Sequence, residues 1–211
     1  MISKTFTNNT SEIIGNNQRI IKKILDICYT RKIPYHSLGN EISGEARELA
    51  KFYVRIAQSL KNNSQSFPSF CDLDVNTPAI SEWFEIIREL FDKHGEILLV
   101  AGGEPTVTLL GDGKGGRNQE LALAFQIESA GNINASFLSA GTDGQDGPCD
   151  VSGAWSGAQD SNVNLNGEAR SFLESSDSYN YFKKHAPHRH IRTGLTFTNV
   201  MDIHLLYIRA H

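Results

Sequence analysis

Five consecutive apolar residues, Ile97–Ala101 (ILLVA), constrain the fold of this chain most. A run of that length without polar alternation reads as a strand buried on both faces, the pattern of a sheet covered by helices. The flanking sequence alternates in the same sense. Ser11–Ile14 is a short strand candidate, and Asn16 or Asn17 can cap a helix from Gln18 to Arg31, whose Ile20, Ile21, Ile24, Leu25 and Ile27 recur at helical spacing. Lys32–Leu38 reads as a strand and Gly44–Leu60 as a helix, with Asn62–Pro78 as a polar linker and Ala79–Lys93 as an amphipathic helix. After Ile97–Ala101 come a strand at Thr106–Leu110, a glycine-rich turn, a helix at Asn118–Ile127, a strand at Ala135–Ala140 and a loop at Gly141–Gly157. Short helices at Gly167–Glu174 and Ser178–Lys184 and a strand at Val200–Ile208 follow. The predicted class is α/β, an open mixed or parallel sheet with flanking helices.

A chain of 211 residues suits one large domain, or a small domain with part of another. Its net charge of −4, with Lys and Arg dispersed, gives no footprint for nucleic acid. No apolar run approaches the ~18 residues of a membrane span, and Met1–Ile20 has no signal-peptide core, so a cytoplasmic setting is expected. Cys28, Cys71 and Cys149 form no CxxC pair, which argues for reduced thiols rather than zinc or a disulfide framework. The cluster His185, His188 and His190 is interrupted by Pro187 and lacks ligand spacing.

Three segments can carry chemistry. Gly111–Glu120 (GDGKGGRNQE) follows a strand and opens a helix, where free N–H groups, the helix dipole, Lys114 and Arg117 suit a phosphate or carboxylate. Its Gly111, Gly113 and Gly116 also satisfy G-x-G-x-x-G, but the following strand ends without the acidic ribose partner of a dinucleotide site, and no P-loop Ser/Thr follows Lys114. Gly141–Gly153 (GTDGQDGPCDVSG) places Asp143, Asp146 and Asp150 after a strand, where carboxylates can hold Mg²⁺ or accept a proton. Thr193–Asp202 (TGLTFTNVMD) offers hydroxyls and amides for a phosphate or a sugar-like hydroxyl. Each segment also reads as ordinary turn chemistry.

Four stretches in order resemble the MOFRL domain of the class II glycerate 2-kinases: Ala101-Gly102-Gly103-Glu104-Pro105-Thr106-Val107-Thr108, Gly113 to Ala124, Ser139 to Pro148, and Thr198-Asn199-Val200-Met201-Asp202. Asp177-Ser178-Tyr179 adds a weaker match. The resemblance covers about Ile97–Tyr207 and implies a MOFRL-like domain over 95–211. Residues 1–94 are then the tail of a larger N-terminal domain, most of which is missing from this chain.

The activity implied is transfer of the γ-phosphoryl of ATP to the 2-hydroxyl of D-glycerate with Mg²⁺. A homodimer is compatible with it, and neither nucleic acid nor membrane is a partner. Carried onto this chain, the family pattern implies catalytic Arg117, Asp143 and Asp146, the two aspartates doubling as metal ligands. The implied binding residues are Gly102, Gly103, Glu104, Lys114, Gly115, Gly116, Asn118, Thr142, Gly144, Thr198, Asn199 and Asp202. Phe197 stands where the family usually has glycine, and Ser176 where Asn is usual. Two other readings stay open: a non-catalytic binding module, and an NAD(P)H-dependent hydroxypyruvate reductase resting on the glycine pattern.

Overall fold

The computed structural model describes residues 10, 12–64, 75–76, 80–129, 133–157 and 166–210. Ser11, Cys71, Ala79 and most of the expected linker Asn62–Pro78 lie outside these residues. Helix α1 (Asn17–Arg31) begins at Asn16, whose side chain accepts the Arg19 backbone N–H at 2.9 Å, and stops at Lys32 in the left-handed region. The strand expected just before it does not form: residues 12–16 are non-regular, with Ile13 and Ile14 exposed.

Helix α2 (Ala46–Lys61) buries Leu49, Ala50, Tyr53, Ile56, Ala57 and Leu60, the stripe its spacing predicts. Helix α3 (Ile80–His94) buries Phe84, Ile87 and Phe91. Helix α4 (Arg117–Ser129) is buried nearly all round, which accounts for its lack of a polar face. Helices α5 (Asn166–Glu174) and α6 (Ser178–His185) pack beside it. No helix among the described residues is long and apolar enough to cross a membrane.

The strands are β1 (Tyr35–Gly44), β2 (Val75–Asn76), β3 (Glu96–Gly103), β4 (Ala135–Gly141), β5 (Gly153–Gly157), β6 (His190–Ile191) and β7 (Asp202–Arg209). Among the described residues they form one mixed sheet in the order β2-β1-β3-β7-β4-β5-β6. Only β1 and β3 pair in parallel; the other adjacent strands are antiparallel. Strand β7 therefore lies between β3 and β4, with Asp202 opposite Gly103 on one side and Gly141 on the other. The carboxyl ends of β3 and β4 and the amino end of β7 share one edge of the sheet.

Two further assignments need correction. Thr106–Leu110 forms no strand; Thr106 makes a single bridge to Glu45, and the rest is loop. The expected loop Gly141–Gly157 ends in β5, which pairs with β4 from Ser136–Gly157 to Ala140–Gly153. One hydrophobic core joins Leu38 and Ile42 of β1, the buried faces of α2 and α3, Ile97, Leu99 and Ala101 of β3, Phe125 of α4, Phe137 of β4, and Leu206 and Ile208 of β7. The alternate residues of β3 point the other way: a side chain on Gly102 would meet Asn17 of α1.

Candidate active site

At the shared sheet edge Asp202 is fully buried, and Arg117, the first residue of α4, reaches it through two N–H groups, Nε at 2.6 Å and Nη2 at 3.0 Å. The carboxylate holds the guanidinium charged and raises its pKa further, against the cost of burial. The third guanidinium nitrogen, Nη1, lies 3.3 Å from the Glu104 carboxylate, which is 58% exposed. Asn17 fastens the floor of this edge from behind, donating to the carbonyls of Val200 (2.9 Å) and Asp202 (2.8 Å). Glycine is required at Gly103, where φ is +156° and a Cβ would overlap the Ile42 carbonyl.

Asp146 occupies the N-terminus of α4. Its two carboxylate oxygens accept the backbone N–H groups of Asn118 (3.0 Å) and Gln119 (2.9 Å) and their side-chain amides (3.1 and 2.9 Å). Burial pushes this carboxyl above the usual range, and those donors oppose the shift. Asp146, expected as a catalytic or metal-binding carboxylate, thereby caps α4, accepting helix N–H groups that would otherwise be orphaned, while still bordering the cleft described below. Asn118, expected to touch ligand, is likewise buried, and accepts the Ser139 hydroxyl at 2.5 Å.

The glycine-rich turn is also used inwardly. Gly111 and Gly113 lie against the backbone of Ser175–Asp177, and Asp177 accepts the Lys114 backbone N–H at 2.7 Å. The Lys114 ammonium sits 4.4 Å from the ring centre of Tyr179 rather than among the residues lining the cleft described below. The dinucleotide-like spacing therefore reflects close backbone packing.

The acidic loop and the terminal segment are sewn together. The Thr142 hydroxyl donates to the Met201 carbonyl (2.7 Å) and accepts the Val200 N–H (2.9 Å). The Thr196 hydroxyl donates to the Thr142 carbonyl (2.5 Å), and the Thr196 N–H to that of Asp143 (3.1 Å). Gly144 lies against the Gly194 backbone. Asn199 reaches the Asp143 carboxylate at 3.4 Å.

A cleft of about 750 Å³ opens above this edge, lined by Glu104, Gly115, Gly116, Arg117, Asp143 and Asp146 together with Pro105, Thr106, Val107, Leu109, Gln145, Gly147 and Pro148. Asp143 also borders a second hollow of about 340 Å³, formed with Leu195, Phe197, Thr198 and Asn199. Arg117 and Asp143 thus line one cleft and Asn199 reaches Asp143 from the neighbouring hollow, while Gly102, Gly103, Thr142, Gly144 and Asp202 are not among the lining residues of either.

Sequence reasoning missed several supports. Glu45 accepts the Thr108 N–H (3.1 Å) and hydroxyl (3.2 Å), holding the Glu104–Thr108 wall. Arg47 pairs with buried Glu120 of α4 at 2.8 Å and donates to the Leu173 carbonyl at 2.7 Å. His204, two residues beyond Asp202 on the same face of β7, shares a 2.8 Å hydrogen bond with Tyr53, and burial lowers its pKa to about 4. Nothing local in the sequence marks His204.

Among the described residues no group of three or more His, Cys, Asp or Glu side chains is placed to hold a metal ion. Asp143 and Glu104 offer the cleft carboxylates free of helix capping. That donor set fits Mg²⁺ in the way this ion is often held, by one or two carboxylates plus substrate phosphates and water.

Residues 97–202 match the MOFRL family. The chain is 39% identical over 196 residues to a rat glycerate kinase, covering 82% of this chain and 36% of that protein. It is 31% identical over 202 residues to a D-glycerate 2-kinase of Thermotoga maritima, covering 95% and 42%. The crystal structure of a Thermotoga maritima glycerate kinase superposes with a TM-score of 0.76 at 28% identity, over 97% of this chain and 43% of that one. The chain spans less than half the length of these relatives.

Proposed function

The chain belongs to the MOFRL family, and on that premise we propose that it carries part or all of the site of a glycerate kinase, transferring the γ-phosphoryl of ATP to the 2-hydroxyl of D-glycerate. The observation carrying this reading is that Arg117 and Asp143, from separate motifs, line one cleft above the buried Asp202. Phosphoryl transfer depends mainly on charge neutralisation and alignment, for which a braced guanidinium beside a free carboxylate is suited. Arg117 keeps N–H groups beyond those bound to Asp202, and its exposed partner Glu104 holds a place that a phosphate or the glycerate carboxylate takes on binding.

Asp143, oriented by Asn199, would hold Mg²⁺ or the acceptor hydroxyl. Bound Mg²⁺ would supply charge neutralisation at the phosphates. With Glu104 and Asp143 both at the cleft, a cation is needed to offset their repulsion of ATP. Asp146 and Lys114 act at a remove, by fixing the start of α4 and the turn before it.

A second reading is that this portion binds ligand without turnover. An ADP-release assay with D-glycerate, ATP and Mg²⁺ on the 211-residue chain decides between them. Turnover above background establishes the kinase; ligand binding without turnover establishes the module; neither binding nor turnover sinks both.

A further inference from the structure

Phe197 is 95% exposed, yet its surroundings are rigidly tied. Thr196 before it is bonded to Thr142 and Asp143, and Asn199 after it accepts the Met201 N–H at 3.1 Å. Its backbone stands at φ +58°, a left-handed conformation that disfavours a bulky residue. A strained, fully exposed aromatic on a fixed loop has no packing role inside the fold. Observed strain of this kind motivates a search for function.

Phe197 and Leu195 form the apolar side of the second hollow, which shares Asp143 with the Arg117 cleft. Among the described residues Phe197 is the only aromatic lining either space. A single ligand can therefore set anionic groups beside Arg117 and Asp143 and a flat apolar ring on Phe197. D-Glycerate, three carbons long and polar throughout, has no such ring; a nucleoside triphosphate has.

We propose that the hollow bounded by Leu195, Phe197, Thr198 and Asn199 is the base subsite of the nucleotide, with the purine stacked on Phe197. This rests on the nucleotide reading above. Stacking of a base on an aromatic side chain is sequence-tolerant and strong enough to measure by substitution.

Calorimetric titration of the 211-residue chain with MgATP and with magnesium tripolyphosphate, which lacks the base, tests it. Phe197→Gly suits the backbone angle and should not disturb the loop. It should weaken ATP at least ~5-fold and leave tripolyphosphate within about twofold, while Phe197→Trp retains ATP affinity. Loss of both ligands together, or of neither, overturns the base subsite while leaving the nucleotide reading intact. Wild-type chain binding neither ligand overturns both. A Phe197→Gly chain that keeps ATP affinity but loses self-association in sedimentation velocity shows the ring to be a protein contact, which also overturns it.

Discussion

Arg117 grips Asp202 with two hydrogen bonds, one to each carboxylate oxygen, joining the first residue of α4 to the first residue of β7. The pair is asymmetric: Asp202 is shut away from solvent while Arg117 keeps a third of its side chain exposed. The buried carboxylate is the fixed member and the guanidinium is the working one.

Replacing Arg117 by Ala removes the cleft's charge contact and leaves Asp202 buried without its partner. In an active glycerate kinase containing this site, kcat/KM should fall at least ~100-fold. The unfolding free energy should also drop by about 2 kcal/mol, less than the roughly 3–5 kcal/mol of a fully buried pair because Arg117 is partly solvated. Arg117→Lys cannot bind bidentately and should recover less than a tenth of the activity, roughly. Steady-state kinetics and urea unfolding measure the two effects, and near wild-type turnover of the Ala variant would falsify the site.

Asp146→Ala should cost about 2–3 kcal/mol of stability, since it strands N–H donors of Asn118 and Gln119 at a buried helix end. Asp146→Asn keeps the acceptor geometry in part and should cost less. A direct metal ligand would behave otherwise: its loss would abolish Mg²⁺ dependence while leaving the denaturation midpoint almost unmoved.

Burial holds His204 neutral, with a folded pKa of about 4 against an ordinary value near 6.5. Between those values the unfolded chain binds more protons than the folded one, so stability rises with pH. The contribution is complete above pH ~6.5 and is lost as pH falls toward ~4, on the order of 3 kcal/mol. His36 and His190, also lowered by burial, act in the same direction. Chemical denaturation across this range should show a shallower slope for His204→Gln than for wild type, whatever its absolute stability.

Gly103→Ala forces a side chain onto the Ile42 carbonyl at a left-handed backbone angle, and should destabilise by about 2 kcal/mol or more. Gly102→Ala displaces only the Asn17 carboxamide, and should resemble Asn17→Ala in thermal melts. If the two glycine variants melt together, the backbone clash assigned to Gly103 is not decisive.

Much of the scaffold was legible because its residues announce themselves locally. The stripe of α2, the Asn16 cap and the unbroken run of β3 depend on near neighbours in sequence, whereas of the expected α1 stripe only Ile21 is buried and Ile27 is exposed. What escaped depends on distant partners. Asp146 became a cap through donors 27 and 28 positions away, and Lys114 was drawn to Tyr179 across the molecule. The Gly153–Gly157 segment has glycine at both ends and pairs because β4 offers it an edge, not because its own propensity demands a strand. Thr106–Leu110 shows the converse, strand-like composition with one bridge available to it. Asp143 was legible as a cleft residue because its loop follows the apolar strand β4, whereas the strand expected before Arg117 does not form.

The interposition of β7 has a consequence for how this chain is made. Ribosomal synthesis delivers β3 and β4 first, but the strand that joins them begins only at Asp202, after α5, α6 and β6. Until it arrives, both earlier strands present bare hydrogen-bonding edges along apolar segments, a state prone to intermolecular pairing. Maturation should therefore be late and all at once, with a nascent chain halted before Asp202 depending on chaperones to stay in solution.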